Sequence, residues 1–595
     1  MFYFLFSIII NIENYSICMS KTITGKKYFL VIGISFLFLL SLTALGLYFC
    51  HRGSLKYENI TLQEYYLKNY SKKKFVKKIL NKNEVYNERK MLNHIINNFD
   101  NFLTTNENLY DFIVSYTKLY NDSFDILSEL RSTKIITLKD YKLFKDYLNN
   151  FKFDNIENEI KHITLKKTSN DVIAKKKYFE GIVAQLNFKY NLSKSLYLDT
   201  LNYNMFESKY YNSLGKIYTY LYDFNSAIDT FTIGLNIADS SNNKNRKKEL
   251  ELLYNLAYTY NIVGDYHKSF KNYSNLLINS INLHNDNYEW LAIYNISNLE
   301  SKLGNYSVAI DYLKYALKLS TKTKNKQYIA KTLNSLSNAE YLYGDYKNGK
   351  RNSLKAIKFA KKISDLNLLS ESSFNACLNY EGLNKTDLAK LYCTRAININ
   401  NKGGQVLNRP EYYIQNANIY YASNIFKNYD ESLNNLKTAY EVSKSYHLLL
   451  SQIKTLIDMS KISAITNDEK GALLYLNDAL DIEHNNSLNY YNQLNDYLLG
   501  YIYLNGEDYN KSITYFKKSL ANGLKNDNNL VVANASSYLS MVYFRINDFK
   551  SALKYSMISL DTSSKIYRYD NYNLEYQKKF NDMILNLINN NKNGK

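Results

Sequence analysis

Proline is almost missing from this chain: 595 residues contain one, Pro410. With no second proline, nothing stops a helix early in most of the sequence. Glycine is also scarce, at 19 residues, and no G-x-x-x-x-G-K-[S/T], G-x-G-x-x-G or G-x-S-x-G occurs. Phosphate-cradling loops and nucleophile elbows are therefore without support. None of the seven histidines pairs at i, i+4, and only His51 neighbours a cysteine, Cys50. That excludes a recognisable zinc site. The net charge is +20, but lysines are dispersed among acids and no basic stripe with stacking aromatics stands out. A specific nucleic-acid partner is not expected. The bias toward Asn, Lys, Ile and Tyr fits an AT-rich genome and accounts for the diffuse positive charge.

What the chain does have is a period. An aromatic-centred turn recurs as Tyr-Asp-Phe224, Gly-Asp-Tyr266, Gly-Asn-Tyr306, Gly-Asp-Tyr346, Lys-Asn-Tyr429, Glu-Asp-Tyr509 and Asn-Asp-Phe549. Worn copies fall in phase at Thr386 and Glu469, and successive spacings are 42, 40, 40, 40, 43, 40, 40 and 40. A fixed period of this size marks a solenoid, one supersecondary unit stacked on itself. Before Phe224, Tyr211, Leu214, Gly215 and Tyr218 share a helix face; after it, Ala227, Phe231 and Gly234 share another. Small residues at Gly215, Ala227 and Gly234 let two helices approach closely. Leu256, Ala257, Tyr260 and Tyr273 repeat the pattern, as do Leu499, Gly500, Tyr503 and Phe516.

This pattern resembles the tetratricopeptide repeat, with an aromatic, Leu-Gly and Tyr on the first helix and Ala and Phe on the second. The resemblance covers residues 205–565 and implies an all-α, right-handed superhelical solenoid of helix-turn-helix repeats. A further copy begins at Tyr190, with Ser193 and Thr200 as its small pair, giving about nine to ten repeats over residues 171–570. The period departs from the family's 34 residues, which predicts a longer second helix. In the repeat centred on Thr386, Cys377 takes the small first-helix position and Cys393 the aromatic second-helix position. The resemblance implies that they face each other, as packed thiols or, outside the cytoplasm, as a disulfide.

Tyr28 to Cys50 contains no charge, proline, Asn or Gln. As a helix it would rise about 34 Å, enough for a hydrocarbon layer of about 30 Å. It is read as a transmembrane helix, residues 28–50, preceded by an N-terminal segment 1–27 whose natural start is Met19. A cleaved signal peptide ending near Ala44-Leu45-Gly46 is the rival reading. The expected setting is a bacterial inner membrane. Lysines flank both sides, and the cluster of Lys21, Lys26 and Lys27 tilts the solenoid to the extracytoplasmic side. Residues 51–170 read as helices outside the 40-residue phase, either decayed repeats or a separate helical region. Residues 571–595 read as a capping helix and a polar tail.

With no catalytic or cofactor signature, the expected role is binding rather than an enzyme's. Asn255, Asn295, Asn375 and Asn418 all lie eleven residues before the turn, with Ser213 and Ser335 at the same position. First helices line the inner curve in the family this resembles. A row of amides there could grip the backbone of an extended peptide, extended by Asn298 and Asn338 and flanked by the faces of Tyr254, Tyr258 and Tyr294. Asn is also frequent at that position for packing. The expectation is a membrane-anchored scaffold that binds proteins or peptides in complex assembly. The alternative is a peptide-sensing regulator whose solenoid changes shape on binding.

Overall fold

The computed structural model describes residues 88–99, 109–163, 169–240, 246–486, 492–567 and 577–586. Every described residue belongs to one compact unit, within Tyr70–Lys595. The expected segment 1–27 and membrane helix 28–50 lie outside the described residues. Among the described residues no helix is long and apolar enough to cross a membrane.

All regular structure among the described residues is helical. Four helices come first: α1 (Glu88–Asn97), α2 (Leu109–Ser132), α3 (Leu138–Asn149) and α4 (Phe153–Lys161). Helix pairs follow. The first helices of the pairs are α5 (Asn170–Leu186), α7 (Ser208–Tyr220), α9 (Arg246–Ile262), α11 (Asp286–Lys302) and α13 (Lys326–Tyr343), then α15 (Leu366–Gly382), α17 (Pro410–Ala422), α19 (Leu449–Ile465), α21 (Asn492–Asn505) and α23 (Asn529–Arg545). Their partners are α6 (Tyr190–Tyr203), α8 (Phe224–Ser240), α10 (Tyr266–Asn282), α12 (Tyr306–Lys322) and α14 (Tyr346–Ile363), then α16 (Thr386–Leu407), α18 (Tyr429–Ser445), α20 (Glu469–Asn485), α22 (Tyr509–Lys525) and α24 (Phe549–Ile566). Residues 577–586 form one more helix, whose Ile584 is buried.

The 40-residue period has a simple composition. α10, α11 and α12 are each 17 residues long, and the turns between them are three residues long. In this stretch first and second helices are equal, whereas α8, α16, α18 and α22 are longer than their first helices α7, α15, α17 and α21, as the long period predicts. The recurring turn is built by two backbone demands. Its first residue adopts left-handed φ, at Gly264 (79°), Gly304 (85°) and Gly344 (98°), where glycine has no Cβ to clash. The next residue caps the following helix: Asp265 accepts from the Lys268 N–H, Asp345 from Asn348, Asp508 from Lys511 and Asp548 from Ser551. Pro410 stands at the first position of α17, where a missing N–H costs nothing.

Inside each pair, residues 16 apart face each other across the two helices. Gly181 lies under the Tyr197 ring, Gly215 under Phe231 and Gly500 under Phe516. Cys377 and Cys393 hold the same register positions and are joined as a disulfide. Small hydroxyls add a second stitch: Ser193, Ser269, Ser460, Ser512 and Ser540 each donate to a carbonyl oxygen of the partner helix 12 residues away, at 2.7 to 2.9 Å. The α5/α6 pair carries both features, so its construction matches that of the later pairs.

The stack winds tightly enough for its turns to touch. The Leu303–Asn305 turn lies against the start of α23: the Leu530 N–H donates to Leu303 O at 3.3 Å, and Asn529 Nδ2 to Asn305 Oδ1 at 2.8 Å. Phe224 and Ile262 share an apolar cluster with Ile453, Leu456 and Ile457, and Tyr306 shares one with Ala533 and Ile566. Asn529 and Asn305 are 224 residues apart, about five and a half repeats.

At the other end, α1 to α4 close the stack with aromatic rings. His94, Tyr116, Phe151, Phe153 and Phe188 form one cluster, and the Tyr116 hydroxyl donates to Leu186 O at 2.7 Å. Burial there holds His94 down at about 4, so it packs as a neutral ring.

Candidate functional site

The first helices present two rows to the inner face. One lies eleven residues before each turn, the other four residues earlier, one helical step away. The earlier row reads Lys209, Glu251, Leu291, Lys331, Glu371, Ile414 and Lys454. Most of its members are charged, although each sits beside the apolar face of its helix.

Helix α2 lies along the first part of this row. Its apolar residues, Phe112, Ile113, Tyr116, Tyr120 and Leu127, are buried. Its opposite face carries Asp111, Lys118, Asp122 and Glu129. Glu129 reaches Lys209 and Lys175, each at 3.5 Å. Lys118 reaches Glu251 at 3.4 Å. Asp111 accepts from Lys331 at 2.8 and 2.9 Å and from Gln327 at 2.9 Å. Charge meets opposite charge at three positions of the row. Burial opposes ionisation of Glu251, but Lys216 and Lys118 outweigh it and hold its carboxyl below the usual range. Burial likewise opposes the Lys331 ammonium, and Asp111 outweighs that and holds it above its usual value.

Beyond Asp111, α2 makes no further ion pair with the row among the described residues. A cavity of about 390 Å³ is lined by α13, α15, α17 and α19, all first helices, with Asn400 contributed by α16. Its wall is rich in side-chain amides: Asn334, Asn338, Asn367, Asn375, Gln415 and Asn418. At its base Glu371 accepts from Asn367 Nδ2 at 3.0 Å, Asn334 Nδ2 at 3.1 Å and Gln415 Nε2 at 3.4 Å. Burial, with the neighbouring Asp365 carboxylate, pushes Glu371 up to about 7 against the partial relief given by Lys454 and Asn367. Lys454 lines the opposite wall with its side chain exposed. The cavity can offer donors and acceptors to a peptide backbone at many points, and it has the volume of a small-ligand site.

The tetratricopeptide repeat model matches residues 497–521, which span most of α21 and α22. These are tetratricopeptide-type repeats. The α5/α6 and α7/α8 pairs share its glycine–aromatic contact, and α10, α14 and α24 share its aspartate-capped turn. No curated protein sequence matches the chain. Among solved structures, a Rap protein complexed with competence and sporulation factor is 15% identical, with 63% of this chain and 98% of that one covered and a TM-score of 0.39. The apo form of the quorum sensor NprR from B. thuringiensis is 16% identical, with 61% and 99% covered and a TM-score of 0.41. Yeast Tom70 is 13% identical, with 70% and 96% covered and a TM-score of 0.32. Similarity this distant says nothing of what the present repeats bind.

The tetratricopeptide-type stack divides the residues singled out from sequence into two groups. Ser335, Asn338, Asn375 and Asn418 line the cavity together. Asn255, Asn295, Asn298, Tyr254, Tyr258 and Tyr294 do not. Several members of the amide row are engaged between neighbouring repeats. Asn255 Nδ2 donates to Asn212 Oδ1 at 2.8 Å, Ser335 Oγ to the Tyr294 hydroxyl at 3.1 Å, and Asn375 Nδ2 to Asn334 Oδ1 at 3.0 Å. In each case the residue eleven before one turn reaches the residue twelve before the preceding turn, so the row stitches adjacent first helices. Asn295 instead donates to its own helix, at Leu291 O. Tyr294 stacks on Trp290, and Tyr254 on Tyr258. Glu371, Gln415 and Lys454 were missed by sequence reasoning. The signal that finds Glu371 and Lys454 is the charged row fifteen residues before the turn.

Proposed function

We propose that this chain binds a protein or an extended peptide in the open part of its inner groove, between Lys331 and Lys454. The observation that carries this reading is the amide-lined cavity along the row beyond the last ion pair that α2 makes, at Lys331. Backbone amides and carbonyls of a guest segment would find partners in Asn338 and Asn418, which stand outside the inter-repeat stitches. Tethered by residues 28–50, such a stack would act as a scaffold beside a membrane, holding its partner for assembly. The test is partner capture by the full chain carrying Asn338→Ala and Asn418→Ala together. Captured partners should be lost while helical circular dichroism stays at the parental level; undiminished capture would refute the groove assignment.

One observation favours a second, regulatory reading. α2 and the guest would share a single charged row, so a guest that disturbs Lys331 also disturbs Asp111 and the helices behind it. The binding site and α1 to α4 would then be coupled through one ion pair. Protection of α2 amides from hydrogen exchange should change on guest binding in this reading and stay constant in a purely scaffolding one.

A further inference from the structure

The charged row has an internal logic that α2 exposes. Lys209, Glu251 and Lys331 each meet an opposite charge on that helix. Glu371 and Lys454, the next charged members, meet none within ion-pair distance among the described residues. Glu371 is satisfied by three neutral amide donors instead, from α13, α15 and α17. Beside it Gln415 Oε1 is buried without a partner.

The charged groups that act on Glu371 or line the cavity with it come from four first helices. α13 brings Lys331, whose ammonium is committed to Asp111. α15 brings Asp365, whose carboxylate caps its own helix through the Leu368 N–H. α17 brings Glu411, paired with Arg409 at 2.6 Å. α19 brings Lys454, exposed on the far wall. Lys331 is thus committed to Asp111, and Lys454, across the same cavity, acts on Glu371 without forming an ion pair with it. A carboxylate in such a place is poised for a cation that arrives with a ligand, because amide donors compensate a buried charge less fully than an opposite charge does.

We infer that the cavity selects a polypeptide segment bearing a basic side chain, its ammonium or guanidinium seated on Glu371 in the way Lys118 is seated on Glu251. Gln415 Oε1 supplies a second acceptor for the same group. Lys454 then faces the guest's next acidic group or backbone carbonyl, continuing the alternation begun by α2. This inference rests on the peptide-groove reading above and adds the sign of the charge to be recognised.

The probe is a set of arrayed hexapeptides of varied background, each made in three forms that differ at one position: arginine, its neutral isostere citrulline, and glutamate. Binding of the labelled full chain is read on all three. The arginine forms should be held about 10- to 100-fold more tightly than the citrulline forms, the range expected for a charge-assisted hydrogen bond in a buried site. Glu371→Gln, which keeps shape and helix, should erase that preference, and Glu371→Lys should transfer it to the glutamate forms. Equal binding of all three forms by the parent chain, or an arginine preference untouched in Glu371→Gln, would overturn the cation assignment and leave the groove standing. Failure to hold any form would overturn the groove reading with it. Unchanged helical circular dichroism of Glu371→Gln secures the comparison.

Discussion

Gly215→Ala is the most informative single change in the stack, because two well-measured effects oppose each other there. Alanine inside a helix is favoured over glycine by about 1 kcal/mol, through the smaller entropy loss of its backbone. Gly215 is in α7, so propensity alone predicts a more stable protein. The added Cβ would, however, lie 2.4, 2.6 and 2.7 Å from three carbons of the Phe231 ring. Ordinary carbon–carbon contact needs about 3.5 Å or more, so the ring must withdraw by about 1 Å. Phe231 is 1% exposed and packed among Ala227, Leu252 and Leu256, which leaves it little room to do so. Overpacking of this kind costs about 2–3 kcal/mol, and the net expectation is destabilisation of about 1–2 kcal/mol. Chemical denaturation of the full chain followed by far-ultraviolet circular dichroism gives the total. Hydrogen exchange at the amides of α7 and α8 shows whether the loss is local, as a stack with nearest-neighbour coupling requires. In the Phe231→Leu background Gly215→Ala should cost little, a favourable coupling of about 1 kcal/mol in the double-mutant cycle. A neutral or stabilised Gly215→Ala protein would show that the helices can part freely, and the account of close packing at residues 16 apart would be wrong.

Other consequences can be checked on the same protein. Asp111→Lys should lower stability by about 1–2 kcal/mol, since the pair it breaks is partly exposed, and adding Lys331→Asp should recover more than half of that in thermal unfolding. Cys393→Ser should lose about 3 kcal/mol, the value for a loop closed over 16 residues, and a reducing agent should bring the parent protein to the same level. Burial raises Glu371 to about 7 and Asp365 to about 6, so the folded chain holds protons that the unfolded chain has released. Their contribution is fully present below the unfolded carboxylate values and is lost as pH rises through the folded ones, so the melting temperature should fall between about pH 4 and pH 7 from these groups. Glu371→Gln should flatten the upper part of that slope. Asn375→Ala removes the stitch to Asn334 and should cost about 1 kcal/mol, read as faster exchange at the α13/α15 contact.

The helical stack was legible because its signals are local and repeated. The Gly-Asp-Tyr turn states a left-handed residue, a cap and a helix start in three letters. The opposition of Cys377 and Cys393 was implied by the resemblance to the tetratricopeptide repeat, and the two are joined. What the sequence did not disclose was which inner residues are already taken. Asn255 and Asn418 look identical in phase, yet one donates to the neighbouring repeat and the other lines the cavity. That distinction depends on the distance between adjacent first helices, a quantity no single repeat encodes. The lie of α2 along Lys209, Glu251 and Lys331 was hidden for a related reason. Its partners are up to 220 residues away, and its own pattern is that of any amphipathic helix.

The contact between successive windings has a consequence for how this molecule can change over generations. Solenoids of this type ordinarily lengthen or shorten by whole units, because each unit touches only its neighbours. Here Asn305 must find Asn529, and Tyr306 must find Ala533 and Ile566, one full circuit later. Duplicating or deleting a single 40-residue unit between them would carry every one of these partners past its mate. The unit count between α12 and α23 is therefore fixed by closure, as the number of staves is fixed in a barrel, and variation in length is confined to the two ends.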